Sequence, residues 1–412
     1  MRVDRLLLLT QYFEPEVGAP QVRLAALVRE LVAHGIDVEV VTALPNHPEG
    51  RIQESYRGRL FATEQRHGAR VRRVWMFAAT GAGLRRMLSY ISFTATSCLA
   101  LFRCRRPDVI LVESPPPFPF LPARVASVFW RCPVVVNVAD LWPDSAVTLG
   151  VLGDGVLLKL MFAYERWVNR SASGVIAVTE GIRTVLIDNK GLAAEKVSFL
   201  PNGVDIEMFQ PGKPNADAAV RYAPNGEKLI VYAGTVGLAQ GVEVAIEAMA
   251  LIAERHPQAR LLIVGAGSGL SRVERRLGEL NLSNVKLMPP VPLHEVATLY
   301  AVAVAGLATL RDSPLFEGAR PSKIFPILAS GKPVIYSGAG EGARLVSEND
   351  VGVVCRPEDA QALATAIEKV LDNPDDAAAM GKRGRALVEG QFSWPTLVDN
   401  WIKEMGWTTP VV

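Results

Sequence analysis

Apolar and polar positions follow two periods in turn along almost the whole chain. Short runs dense in Val, Ile and Leu recur: "RLLLLT" (5–10), "DVEVVT" (37–42), "VRRVWM" (71–76), "DVILVE" (108–113), "PVVVNV" (133–138), "GVIAVT" (174–179) and "KVSFLP" (196–201). Without the alternation of a half-exposed strand, they predict strands covered on both faces, as parallel sheets require. Between them the period changes to that of a helix. In "PQVRLAALVRELVAHG" (20–35), Leu24, Leu27, Val28, Leu31 and Val32 share a face, and Gly35 stands where a C-cap belongs. The alternation restarts with "KLIVYAGT" (228–235), "ARLLIVGAG" (259–267), "NVKLMPP" (284–290), "VAGLATL" (304–310), "KPVIYSG" (332–338) and "GVVCRP" (352–357).

This pattern predicts two doubly wound α/β halves, residues 1–203 and 204–385, divided within the Pro-, Gly- and Asn-rich stretch 200–228. A helical, aromatic tail over 386–412 is expected to pack back on the first half. Open parallel sheets bind ligands beyond the carboxyl ends of their strands. Two facing halves would therefore share a central cleft, marked by the glycines that follow strands.

Composition narrows the classes. The chain has 412 residues, enough for two cores, with 49% apolar and 21% charged residues and a net charge of +2. That balance argues against disorder and against wholesale nucleic-acid binding. Cys98, Cys104, Cys132 and Cys355 lack metal spacing and read as reduced thiols of a cytosolic protein. The histidines form no H-x-x-x-H pair, so no metal is expected. "MRVDRLLLLTQYF" has no small-residue cleavage site and reads as the first buried strand. One segment changes the electrostatic picture. "GLRRMLSYISFTATSCLALFRCRRPD" has an apolar centre shorter than the roughly 18 residues of a membrane span. Arg85, Arg86, Arg103, Arg105 and Arg106 flank it, which suits either a core helix with solvated ends or a helix lying on anionic lipid.

Three glycine loops follow strands: "FEPEVGAPQ" (13–21, with Gly18 and Ala19), "AGTVGLAQG" (233–241, with Gly234 and Thr235) and "GAGSG" (265–269, with Gly265 and Gly267). Bare backbone N–H groups at a helix start favour an anion, and three such loops point to a phosphate site. A dinucleotide oxidoreductase does not fit. "GAGSG" has the wrong third spacing, and no acid ends the next strand to hold a ribose. Fixed positive charge comes instead from "SPLFEGARPSKIFPILASGKPV" (313–334). There Lys323 follows Ser322, a candidate N-cap, with Arg320 and Glu317 just before.

At this point the sequence resembles a retaining glycosyltransferase of family 4, with the GT-B fold, and most of all the branch that builds bacterial O-antigen, colanic-acid and capsule units. The likeness spans roughly residues 5–400. It rests on "TQYFEPEVGAPQVRL", "LPNHPEG", "SYISF", "VESPP", "DLWPDSAVTLGVL", "IAVTEGI", "LPNGVDIEMF", "YAGTVGLAQG", "PSKIF" with "ASGKPVI", and "GRALVEGQFSW". The resemblance implies transfer of a hexosyl or N-acetylhexosaminyl group from a nucleotide diphosphate sugar, UDP favoured, without a metal or other cofactor. The first half would bind the acceptor and the second the nucleotide sugar. The implied acceptor is a saccharide on a polyprenyl diphosphate, at an anionic membrane surface on the inner face of the cell membrane. Donors aimed at the leaving diphosphate would be Lys323, Arg320 and N–H groups of Gly18, Ala19, Gly234 and Thr235. Gly265, Gly267, Glu317 and Ser322 complete the implied donor site. Asp140, Asp144 and Glu113 are candidates for the sugar or acceptor, and N-capping is the competing role for either aspartate.

Three departures stand out. Thr235 and Gln240 occupy a loop where many relatives carry Arg and Lys. Ala139 replaces a histidine common before Asp140. Pro326 stands where the branch usually has a ribose-holding glutamate. A helix beginning near Phe325, with Pro326 in its first turn, would leave the phosphate end of the site intact. Two other readings compete: a degenerate GT-B protein that binds a partner without turnover, and a nucleotide-sugar epimerase.

Overall fold

A computed structural model of the chain describes residues 1–16, 18–46, 49–79, 83–148, 150, 155–212 and 216–410. Val17 of the first glycine loop, His47 and Pro48 of "LPNHPEG", and 213–215 of the expected linker lie outside the described residues, as do parts of "DLWPDSAVTLGVL". The chain forms two compact units. Unit 1 comprises Met1–Pro201 and Trp394–Val412, and unit 2 comprises Asn202–Ser393.

In unit 1 the strands are β1 (Arg5–Leu9), β2 (Asp37–Ala43), β3 (Phe61–Arg66), β4 (Ala69–Val74), β5 (Val109–Ser114), β6 (Val134–Val138), β7 (Gly174–Ala177) and β8 (Val197–Phe199). They form one sheet in the order β3-β4-β2-β1-β5-β6-β7-β8. All neighbours run parallel except β3, which pairs antiparallel with β4 at the edge. β3, "FATEQR", is exposed or half-buried throughout, whereas β1, β5 and β6 lie almost wholly inside. An edge strand with one face in water needs no continuous apolar run, and the sequence pattern does not reveal it.

Right-handed crossovers place helices reached by leftward and by rightward steps along the sheet on opposite faces. The helix Ala19–Ala33 joins β1 to β2 on one face. Leu84–Leu101, Phe120–Trp130 and Val156–Ser171 cover the other. The helix Trp394–Glu404 joins the first face. Trp394, Leu397, Val398, Trp401, Ile402 and Trp407 are buried there in one cluster with Leu24, Leu27, Val28 and Leu31. The returning segment starts at Trp394 rather than at 386, because the helix Pro374–Gln391 of unit 2 continues through that point.

Unit 2 contains β9 (Lys228–Ala233), β10 (Ala259–Val264), β11 (Val285–Met288), β12 (Ala305–Thr309), β13 (Val334–Ser337) and β14 (Gly352–Cys355). Their order, β11-β10-β9-β12-β13-β14, is all parallel and reverses direction between β9 and β12. That reversal is the doubly wound switch point, where loops at the carboxyl ends of strands diverge and leave room for a ligand. Among the described residues no helix is long and apolar enough to cross a membrane.

Candidate functional site

The glycine loops after β9 and β10 are knitted together by backbone. The Val236 N–H donates to the Ala266 carbonyl, and the Gly269 N–H donates back to the Val236 carbonyl, each at 2.9 Å. Gly265 and Gly267 have φ of +154° and +157°. A Cβ on Gly265 would stand 1.9 Å from the Gly234 oxygen, and one on Gly267 would stand 2.4 Å from the Val236 oxygen. No side chain fits there, so these glycines are fixed by the closeness of two loops. The same geometry corrects the expected anion donor Gly234 and bears likewise on Gly265, which the resemblance placed in the donor site. The Gly234 N–H donates to the Val264 carbonyl and the Gly265 N–H to the Met288 carbonyl. Both groups are occupied within the sheet, so these glycines give clearance instead. Thr235, exposed at the lip of the loop, makes no backbone N–H bond among the described residues. Gln240 closes the loop on itself by accepting from the Gly237 N–H at 3.0 Å.

Lys323 reaches this lip from the far side. Its Cε lies 3.1 Å, and its Nζ 3.7 Å, from where a Gly234 Cβ would be. The Nζ sits 3.6 Å from the centroid of the Tyr232 ring. Tyr232 is fully buried, and its hydroxyl donates to the Thr235 carbonyl at 2.6 Å. One aromatic side chain therefore fixes both the loop and the cation. Enclosure by protein draws the Lys323 ammonium down to about 7. Desolvation is the cause, since it penalises the charged form and no ion pair to a carboxylate offsets it among the described residues.

The helix that follows is short, Ile324–Ala329, with Lys323 itself at the N-cap position. Ser322 is therefore not the cap; it lies one residue outside. The first intrahelical bond runs from the Ile327 N–H to the Lys323 carbonyl at 3.5 Å. Pro326 is the third helical residue, where an N–H would have no partner inside the helix, so the proline leaves the turn undisturbed.

Arg320 and Glu317 sit beside a second turn. Arg320 has its guanidinium over the rings of Phe325 and Phe392, 5.3 and 5.2 Å from their centroids, and lies 3.6 Å from the Glu341 carboxylate. Its side chain is only 8% exposed. It acts first as a brace between the loop, Phe392 just past the helix 374–391, and Glu341. The carbonyl of Glu317 accepts from the Glu341 N–H at 2.7 Å, while its side chain is exposed. Arg311, which sequence reasoning missed, pins the β9 loop through the Leu238 carbonyl at 2.7 Å and pairs with Glu243 and Glu358.

In unit 1, Gly18 is the N-cap of the helix 19–33, and Ala19 is its first residue. The first N–H groups of that helix have no acceptor within it. Beside them, buried Glu16 accepts from the Asn46 N–H at 2.7 Å and from Gln21 at 3.2 Å. Glu113, the last residue but one of β5, has both carboxylate oxygens engaged, one by Arg23 and the other by Asn137 at 2.7 Å. Arg23 and Glu113 are 7% and 2% exposed, so this is a buried ion pair joining helix to sheet. Asp144 pairs with Lys190 at 2.8 Å, and Lys190 also holds Glu165 at 2.5 Å. Asp140 stands at the open end of β6. Desolvation by the protein around it raises its carboxyl, outweighing bonds from Ser145 and the Leu141 backbone.

The basic set corrects in one place. Arg85, Arg103, Arg105 and Arg106 are exposed, but Arg86 turns inward. It bonds the Tyr12 hydroxyl, the Tyr90 hydroxyl at 3.0 Å and the Ala79 carbonyl at 2.9 Å. Two hydroxyls and a carbonyl around one guanidinium hold it half-buried against unit 1, apart from the exposed basic set. Arg105 also lies 3.5 Å from Asp37.

Known proteins share this fold. The description "Glycosyl transferase 4-like domain" matches residues 18–203, and "Glycosyl transferases group 1" matches residues 216–387. The chain belongs to the family 4 glycosyltransferases of GT-B fold. Among similar proteins, WcaI of Escherichia coli K12, named for glycosyl transfer in colanic acid biosynthesis, is 28% identical over 87% of this chain and 90% of its own. WbjE of Pseudomonas aeruginosa, named as a glycosyltransferase, is 26% identical over 71% of this chain and 72% of its own. Among solved structures, Anabaena Alr3699/HepE in complex with UDP and glucose superimposes with a TM-score of 0.73 at 18% identity, over 98% of this chain and 100% of that one. WaaG, a glycosyltransferase involved in lipopolysaccharide biosynthesis, gives 0.70 at 16%, with coverage of 98% and 100%. At such identities the superpositions speak for the fold.

Proposed function

We propose that this glycosyltransferase moves a hexosyl or N-acetylhexosaminyl group, with retention, from a UDP-sugar to a saccharide carried on a polyprenyl diphosphate. It would act at the inner face of the cell membrane in cell-surface polysaccharide synthesis. The observation that carries the reading is the Lys323 ammonium held against Gly234 at the lip of the β9 loop.

In the proposed reaction, the bond from the anomeric carbon to the β-phosphate oxygen breaks as the acceptor oxygen bonds that carbon. The acceptor's proton passes to the departing diphosphate. Charge grows on the diphosphate, and fixed donors aimed there lower the barrier most. Lys323 and the Thr235 N–H are the donors the lip offers, and Gly234, Gly265 and Gly267 keep the backbone bare for close approach. Arg320, braced on Phe325, Phe392 and Glu341, holds the loop that presents Lys323. Unit 2 thus takes the nucleotide sugar and unit 1 the acceptor. There Asp140 is open to a hydroxyl, whereas Glu113 and Asp144 act through the side chains they hold. The names of WcaI and of UDP-bound HepE support the pathway class and the donor's base, respectively.

The test is the shift in melting temperature with UDP, GDP, ADP and dTDP, with and without magnesium. Ligand at about 100 times its dissociation constant adds about 2.7 kcal/mol of stability. A shift with UDP alone, independent of magnesium and lost in Lys323→Ala, is expected. A shift only with another base reassigns the donor, and none at millimolar ligand overturns the reading.

A further inference from the structure

The three helices that cover the second face of the unit 1 sheet carry large apolar side chains on their outer sides as well as on their inner ones. In the helix 84–101, Ser89, Phe93 and Ser97 face the sheet and are fully buried. Leu88, Ile91 and Leu99, at spacings of three and eight residues, with Phe102 three residues further on, lie along the outer stripe and are exposed. In the helix 120–130 the buried positions include Ala123, Ala126 and Ser127. The outer stripe carries Leu121, Val125, Val128 and Phe129, the last 71% exposed. In the helix 156–171 the inner side holds Leu158, Met161 and Val168 with Glu165 and Asn169, and the outer side still carries Val156, Leu157 and Leu160, with Val156 at 75%. A surface helix of a water-soluble domain keeps its outer side polar, and bulky apolar stripes in water mark an interaction face. By contrast, unit 2 exposes only Met208, Val220 and Leu251 among its described large apolar side chains.

The stripes adjoin. Tyr90, Phe118 and Tyr164 stack in sequence, at 6.0 and 5.6 Å between centroids, and Trp167 meets Phe120 at 5.3 Å. Charge tells what covers the face. The first two helices contain no Asp or Glu, and the only acid of the third, Glu165, is buried against Lys190. The charges that do surround the stripes are basic: Arg85, Arg103, Arg131, Lys159, Arg166 and Arg170 are exposed. Beside Val128, a pocket of ≈ 210 Å³ is lined by Arg124, Arg131, Ser127, Ser171 and Ser173. Cations and hydroxyls around a small open pocket suit a phosphate group, and bare leucines beside it suit acyl chains.

We propose that the outer face of these three helices seats in the surface of an anionic phospholipid bilayer, its apolar stripes inserted and the pocket at the end of the helix 120–130 taking a lipid phosphate. This deepens the membrane location proposed above and rests on that part of it alone. It differs from docking by arginines in one measurable respect. Purely electrostatic adhesion is lost when salt shortens the Debye length to about 3 Å, near 1 M, whereas inserted side chains keep part of the binding.

The test is co-sedimentation of the full chain with vesicles of phosphatidylcholine alone or mixed in equal parts with phosphatidylglycerol, at low salt and in about 1 M salt. Wild type is expected to bind the mixed vesicles and to stay partly bound in high salt. Val128→Ser with Phe129→Ser, and separately Leu157→Ser with Leu160→Ser, are expected to weaken binding by about tenfold, the scale of losing partial burial of two large side chains. Arg124→Gln with Arg131→Gln is expected to remove the preference for the anionic lipid. Leu251→Ser in unit 2 serves as the control and changes nothing. Wild-type binding by the serine pairs, or complete release of wild type by salt, overturns the proposal. Concentration-dependent dimerisation without vesicle binding also overturns it and gives the face to a second copy of the chain. Since the readout needs no nucleotide, a failed UDP shift alongside intact vesicle binding would count only against the proposed reaction.

Discussion

Lys323 is the residue on which charge and pH meet. Its depressed pKa means that the folded chain carries a neutral amine at pH values where the unfolded chain is still protonated. The unfolded state then binds more protons between about 7 and the ordinary lysine value, so stability of the unliganded protein rises with pH across that window. A bound diphosphate reverses the preference by restoring the ammonium. Binding UDP therefore takes up a proton, and affinity is expected to fall by up to about tenfold per pH unit above 7. Calorimetry in buffers of different ionisation heat measures the proton directly, and Lys323→Ala abolishes both the uptake and the slope. Tyr232→Leu removes the ring beneath the ammonium and is expected to weaken UDP binding, whereas Tyr232→Phe keeps the ring and loses only the bond to Thr235, worth about 0.5–1.5 kcal/mol of stability. Much of this site was readable residue by residue, because "PSK" combines a rigid turn with a cation. What Arg320 touches was not. Phe392 and Glu341, its brace, lie on other elements, and no local spacing joins them to it. Arg23 was likewise hidden, a charge within an apolar helix whose partner, Glu113, lies near the end of a distant strand.

Elements differ in how much local sequence reveals. Central strands buried on both faces write themselves as Val and Ile runs. The edge strand β3 mixes Glu, Gln and Arg with a lone Phe, and its pairing with β4 decides its state. The helix 324–329 is too short to show a period, yet its start explains Pro326, since the proline occupies a position without an intrahelical donor. Two substitutions follow. Gly267→Ala would place a Cβ against the Val236 carbonyl in a backbone region that side chains avoid. It is expected to cost about 1–3 kcal/mol and to displace the β9 loop, seen as weaker UDP binding in a chain that still melts cooperatively. Pro326→Glu keeps the helix start and adds a carboxylate in the first turn. Offered a ribose hydroxyl, it is expected to raise UDP affinity tenfold or more, consistent with about 1.5–3 kcal/mol for a charged hydrogen bond, and titration calorimetry would show it.

At the scale of the molecule, unit 1 is made from two separate pieces of chain. Residues 394–412 supply Trp394, Trp401 and Trp407 to the core over the helix 19–33. Truncation after Ser393 is expected to lower the melting temperature of unit 1 by many degrees while unit 2 unfolds as before, separable by calorimetry as two transitions.

The entry to unit 2 and its exit are tied together, the Val204 N–H donating to the Phe392 carbonyl at 2.9 Å beside a bridge from Val204 to Ser393. Unit 2 therefore sits in the sequence of unit 1 as an insertion whose ends already touch. As a ribosome makes the chain, all of unit 2 emerges before the segment that covers the helix 19–33. Leu24 and Leu31 must wait, exposed or guarded by a chaperone, until residues 394–412 arrive. Synthesis thus builds the second unit whole while the first stays unfinished, and a chain that stalls late leaves a complete second unit attached to an incomplete first.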